Sequence, residues 1–178
     1  MEARNILLIK KGDVVKNTYT EWNIACCNVP FKTGGKTKAL SVRDWKDEHG
    51  EDAYIPAKLM FEPYDMEFEM AYVGKEVATN PFDCSLALEK IDAFKKWLTG
   101  SDDLTNHPNG TGASLTIYSP YTTIGRQGCY LLEVSDEEPH VQLKQEATNM
   151  YNENVITFKL TFRVTDPTTN VTIQTPST

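Results

Sequence analysis

Glu67 and Glu69 come nearest, in type and spacing, to a pair of catalytic carboxylates. Both fall on one face of an alternating segment, so their Cβ atoms lie ~7 Å apart, a separation that suits an inverting glycosidase. One of them would have to stay protonated in an apolar pocket to act as the acid. Polar positions on a wet strand face supply no such pocket. Gly35-Lys36-Thr37 matches the end of a phosphate-binding loop, but Pro30 stands where its first glycine belongs and no helix follows. Asp47, Glu48, Glu51 and Asp52 bring carboxylates to one turn without the spacing of a calcium-binding loop. His49, His107 and His140 sit in polar, turn-like stretches with no partner four residues away, and neither G-x-S-x-G nor H-E-x-x-H occurs. Cys26, Cys27, Cys84 and Cys129 contain no C-x-x-C pair and read as four reduced thiols. The chain is therefore expected to carry no catalytic residue, no metal ligand and no cofactor, and not to be an enzyme.

Charge and composition narrow the partners. The 178 residues carry a net charge of −7. Gripping DNA needs a basic footprint, which this balance does not provide overall. With 40% hydrophobic and 24% charged residues the chain has the composition of a folded protein, and its length favours one domain. Ile6-Leu7-Leu8-Ile9 is too short for a signal segment, and no stretch approaches the ~20 apolar residues of a membrane helix.

The elements that position these side chains are mostly strands. Tyr64, Met66, Phe68, Met70 and Tyr72 alternate with Asp65, Glu67, Glu69 and Ala71; Ile156, Phe158, Leu160, Phe162 and Val164 alternate with Thr157, Lys159, Thr161 and Arg163. A period of two defines long strands with one buried face, as in antiparallel sheets. If the two are neighbours, the acidic stripe of Asp65, Glu67 and Glu69 meets Lys159 and Arg163. One convincing helix is expected over about Ser85 to Leu98, capped by Asp83 or Ser85, with Leu88, Ile91, Phe94 and Leu98 on its apolar face and Gly100 at its stop. Shorter strands are read at Asn5–Lys10, Trp22–Val29, Leu40–Trp45, Ala113–Tyr118, Gly128–Val134 and Val141–Leu143, with a hairpin through Gly125 and a turn at Asp136–Pro139. The fold class is mainly β: an antiparallel β-sandwich or incomplete barrel with one flanking α-helix. Residues 1–167 form a single domain and 168–178 a flexible tail. Two polar loops, at Lys32–Lys38 (Lys32, Gly34, Gly35, Lys36) and Ser101–Gly112 (Asp102, Asn106, Asn109), are expected to be mobile until assembly orders them. Phe68, Met70, Phe94, Phe158 and Leu160 are expected in the core.

Three segments resemble tail proteins of long-tailed bacteriophages and prophages, of the distal tail protein or tail-tube type. Trp45-Lys46-Asp47-Glu48-His49-Gly50-Glu51-Asp52 is similar to an early W-x-D-E-x-G-x-D hairpin of such proteins. The long strand from Leu59 to Val73, the helix, Leu115-Thr116-Ile117-Tyr118 and Gly128-Cys129-Tyr130-Leu131 follow their order of elements, and Thr165-Asp166-Pro167 resembles their exit from the last strand. The chain is shorter than full distal tail proteins, which leaves tube, hub and terminator roles open. The resemblance implies a structural subunit, commonly one of six in a ring around a channel. Its partners would be itself and other tail proteins. DNA would pass without specific binding, and no membrane would be involved. The subunit would belong to the virion tail, and to the bacterial cytoplasm during assembly. Within such a ring Asp65, Glu67 and Glu69, or the turn at Asp47–Asp52, are expected to face the channel. The competing expectation is a monomeric β-sandwich that binds a carbohydrate or other small ligand through Trp22, Trp45 or Tyr121.

Overall fold

The computed structural model describes residues 6–44, 46–47, 49–74, 84–140 and 154–174. Its centre is the pair expected from the alternation. Strand β6 (Tyr64–Gly74) runs antiparallel to β9 (Asn154–Val164), in register from Tyr64↔Val164 to Gly74↔Asn154. Tyr64, Met66, Phe68, Met70 and Tyr72 of β6 and Ile156, Phe158, Leu160, Phe162 and Val164 of β9 are all buried. Full burial of such side chains stabilises by roughly 1.5–3 kcal/mol each before ordering entropy is subtracted. Phe158 and Leu160 lie in this core as expected. Phe68 meets Phe162 edge-on at 5.8 Å between centroids.

Around this pair lie β1 (Leu8–Lys11), β2 (Val14–Asn17), β3 (Ile24–Cys26), β7 (Leu115–Ser119) and β8 (Ile124–His140). The sheet is antiparallel with the order β2-β1-β7-β8-β9-β6-β3. A separate two-stranded ladder pairs β4 (Val42–Arg43) with β5 (Asp52–Ala53).

The two ends of the large sheet are joined by a very short connection. Strands β2 and β3 stand at opposite edges, six inter-strand steps apart, or roughly 29 Å in a flat sheet at ~4.8 Å per step. Helix α1 (Thr18–Trp22) and Asn23 link them. Five helical residues rise only about 7.5 Å, so the sheet must curl until its edges approach. Leu7 and Ile9 near one edge accordingly share a core with Trp22 and Ile24 near the other. The edges do not pair, so the barrel is incomplete. Helix α2 (Ser85–Thr99) contributes Ala87, Ile91, Phe94, Trp97 and Leu98 to the same core, and Trp22 packs on Phe94 and Trp97 at 4.8 and 5.3 Å.

Several local expectations are revised. The segment read as a strand over Trp22–Val29 begins with the end of α1, because the Asn17 side chain accepts from Tyr19 and Thr20 N–H groups and starts a helical turn. Helix α2 begins where expected, but its N-cap is Cys84 without a side-chain bond, and Asp83 lies outside the described residues. Leu88 is on its exposed side, while Ala87 and Trp97 face inward. The turn expected at Asp136–Pro139 is part of β8, where an irregularity with Asp136 at φ 50° lets the strand continue to His140. The hairpin between β7 and β8 turns before Gly125, which pairs with Tyr118. Val141–Leu143 lies outside the described residues. The tail is held down as far as Ile173: Asn170 Oδ1 accepts from Gly125 N–H at 2.8 Å, and Ile173 is buried beside Leu8 and Tyr118 on the outer face. No helix among the described residues is long and apolar enough to cross a membrane.

Candidate assembly surfaces

The outer face of β6, β9 and β8 gathers the acidic stripe. Alternation puts Asp65, Glu67 and Glu69 outward because their neighbours are in the core. Register then sets Arg163 opposite Asp65, bonded at 2.9 Å, and Lys159 opposite Glu69, with its Nζ 3.9 Å from Glu67. Strand β8 adds Glu133, Asp136 and Glu138, all exposed, and Asp136 holds Lys159 at 2.8 Å. Six carboxylates thus surround two cations on this face. The hydrogen bond from Lys159 to Asp136 raises the Lys159 pKa, with Asp136 and Glu67 charges adding to it. Arg163 is likewise raised, first by its bond to Asp65. Water screens pairs this exposed, so they orient side chains more than they stabilise the fold. The Glu67 side chain is 56% exposed, which removes the apolar environment a general acid needs.

An open depression of about 360 Å³ lies at one end of this face, lined by Cys27, Glu69, Asp136, Glu138 and Lys159 among others. Partial burial, and then the Glu69 charge, pushes the Cys27 thiol up, so it stays protonated at neutral pH and is a poor nucleophile. Cys26 and Cys129 are pushed up to about 12, chiefly by burial. Among the described residues no group of three or more His, Cys, Asp or Glu could hold a metal ion.

The loop expected to be mobile at Lys32–Lys38 is the root of a long arm, residues 27–63, between β3 and β6. Phe31 packs edge-on against Phe68 at 5.7 Å, the Lys32 carbonyl accepts from Arg126 at 2.7 Å, and Lys32 Nζ lies 5.2 Å from the centre of the Tyr64 ring. Lys36 accepts from Glu62 N–H and Lys38 donates to the Met60 carbonyl, each at 2.8 Å, so the segment zips against residues 60–62. Gly34 and Gly35 form an exposed tip between these anchors. Farther out the arm exposes Tyr54 by 75% and Ile55 by 71%, followed by Leu59 and Met60. The resemblance instead puts Leu59 and Met60 in the long strand, which begins only at Tyr64. The adjacency of all four in apolar pairs, away from any period-two run, was the available signal. Trp45 and Glu48 of the hairpin motif lie outside the described residues.

The second loop, Ser101–Gly112, is also tied internally. Lys11 Nζ reaches Asp102 at 2.9 Å, Thr111 at 2.8 Å and the Trp97 carbonyl at 2.8 Å, and Thr111 also donates to Asp102. Partial burial pushes the Asp102 carboxyl up, but bonds from Thr111 and Lys11 outweigh it and hold the pKa below its usual value. Asn106 bonds Asp103, and Asn109 is exposed at the tip. Among the described residues neither loop bonds a carboxylate of the acidic face. Of the aromatic residues considered for ligand stacking, Trp22 is core and Tyr121 is exposed by 80% on the β7–β8 turn.

No protein-family model matches the chain, and no solved structure matches it. The methylase subunit of the type I restriction enzyme MjaVIII from Methanocaldococcus jannaschii is 34% identical over 103 residues, 54% of this chain and 18% of that protein. The chain spans under one fifth of the length of this relative. The likeness thus joins part of this chain to part of an enzyme subunit.

Proposed function

We propose that this chain is a structural subunit of a phage-type tail, in the tube or the distal hub, assembling with copies of itself into a ring around a DNA channel. The observation that carries the reading is the outer face of β8, β9 and β6, with six carboxylates around two cations. A wall over which DNA slides must not hold phosphates, and excess negative charge at close range opposes the counterion-releasing contacts that would do so. The exposed apolar side chains of the arm supply the complementary need, a surface that another copy can cover. In this reading the subunit does no chemistry and resides in the virion tail after assembly in the bacterial cytoplasm. Light scattering across a concentration series should show a defined ring. Asp65→Lys, Glu67→Lys and Glu69→Lys together should keep the ring but lower infectivity sharply. A strict monomer at every concentration would overturn assembly, and full infectivity of the charge-reversed particles would overturn the channel assignment.

The partial identity to a methylase subunit motivates a second reading, a fragment of a DNA-modifying assembly. Tight binding of duplex DNA by the purified chain at low salt would favour it. The acidic face speaks for the first.

A further inference from the structure

We propose that Arg126 couples the C-terminal tail to the arm, so that seating of the tail on the sheet fixes the root of the arm. Arg126 lies on β8 in register with buried Ile117, so its side chain points inward, and it is only 3% exposed. Its Nη1 donates to the carbonyls of Gly125 at 2.9 Å and Thr169 at 3.4 Å, and its Nη2 to the carbonyl of Lys32 at 2.7 Å. Nε has no partner, and no carboxylate lies within ion-pair distance of the guanidinium among the described residues. A buried cation compensated by carbonyl dipoles alone depends on each of them, because losing one leaves charge stranded in a low dielectric. One of the three carbonyls is local; the others come from the arm root and the tail.

The tail reaches this position through contacts of its own. Asn170 and Val171 bond the backbone of Gly125, and Ile173 is buried with Leu8 and Tyr118 on the far side of the sheet from Arg126. A Cβ on Gly125 would lie 2.1 Å from the Val171 carbonyl oxygen, so the strand has been left bare where the tail crosses. Thr169 is thereby held over the guanidinium. If the tail lifts, Arg126 loses one acceptor, turns to find another or to reach water, and its grip on Lys32 loosens.

Hydrogen exchange on the intact, isolated chain reads this coupling independently of whether rings form. Ile173→Asp, which unseats the tail without touching Arg126, should speed exchange of the amides in residues 31–38 about tenfold, the loss expected for one charge-assisted hydrogen bond. Amides of β6 and β9 should stay unchanged. Gly125→Ala should have the same effect through the Val171 clash. In an Arg126→Met background, or Arg126→Lys if the first variant does not fold, Ile173→Asp should add nothing at residues 31–38. Unchanged exchange there when the tail is unseated in the otherwise native chain would overturn the proposal. So would an equal increment with and without Arg126.

Discussion

Lys11 illustrates how a single side chain can join parts of the fold that are far apart in sequence. It is 8% exposed, sits 4.9 Å from the centre of the Trp97 ring, and bonds the last turn of α2 together with the loop that follows. A cation at that point also meets the negative end of the helix dipole. Lys11→Met should keep the packing of the stem and strand the Asp102 carboxylate and the Trp97 carbonyl, at a cost of about 2–3 kcal/mol in a denaturant titration. A loss below about 0.5 kcal/mol, the level of an ordinary surface substitution, would show that water replaces the ammonium. Nothing in the sequence marks this residue. In Lys10-Lys11-Gly12-Asp13 it reads as part of a charged turn, and its partners are 86 to 100 positions away. Phe68, Met70, Phe94, Phe158 and Leu160 were legible, because alternation and helical spacing are local signals. The same holds for the ion pairs of Asp65 with Arg163 and Glu67 with Lys159, which follow once β6 and β9 are placed side by side.

Among the elements, those with a long unbroken period were legible and those set by one side chain or one bulge were not. Strands β6 and β9 and helix α2 fall within a residue or two of expectation. Helix α1 is not legible because five residues hold too little periodicity, and only the Asn17 cap reveals it. Strand β8 runs past its expected end: Asp136, Glu137, Glu138 and Pro139 have turn composition, but a bulge absorbs them. Thr, Pro and Ser content predicts a flexible tail, yet Asp166 anchors its start. The carboxylate accepts from Gln127 and from Thr168 and Thr169, bonds that depress its pKa from 3.8 to about 2. A depressed folded-state value means that this contribution is complete above the ordinary carboxylate pKa and fades as pH falls toward the folded one. Proteolysis with an acid-active protease at residues 168–171 should therefore increase between about pH 4 and pH 2. Asp166→Asn should be already loosened at neutral pH and show a flatter profile over that window. A native chain cleaved equally at both ends of it would remove Asp166 as the anchor.

For the whole molecule, sequence patterns supplied the strands but not their neighbours. That the sheet curls follows only when β2 and β3 are known to be its edges, since the short link of α1 and Asn23 then forbids a flat arrangement. The acidic face was visible as a stripe on β6. Its extension onto β8 was not, because the sequence pattern ends that strand at Val134 and makes Asp136–Pro139 a turn. The strand order also bears on how the chain is made. Strand β9 follows every other strand of the sheet in the described chain, yet it lies inside the sheet between β8 and β6. Until it arrives, both neighbours present long unpaired edges and uncovered apolar faces, the conditions under which nascent chains associate wrongly. A chain ending at residue 153 should accumulate as insoluble material, and co-production of residues 154–178 as a separate peptide should return part of it to solution. Release of a soluble, cooperatively folded 1–153 fragment would contradict this. The two sides of the sheet are therefore joined only once β9 has emerged, so the core closes in one late step rather than strand by strand.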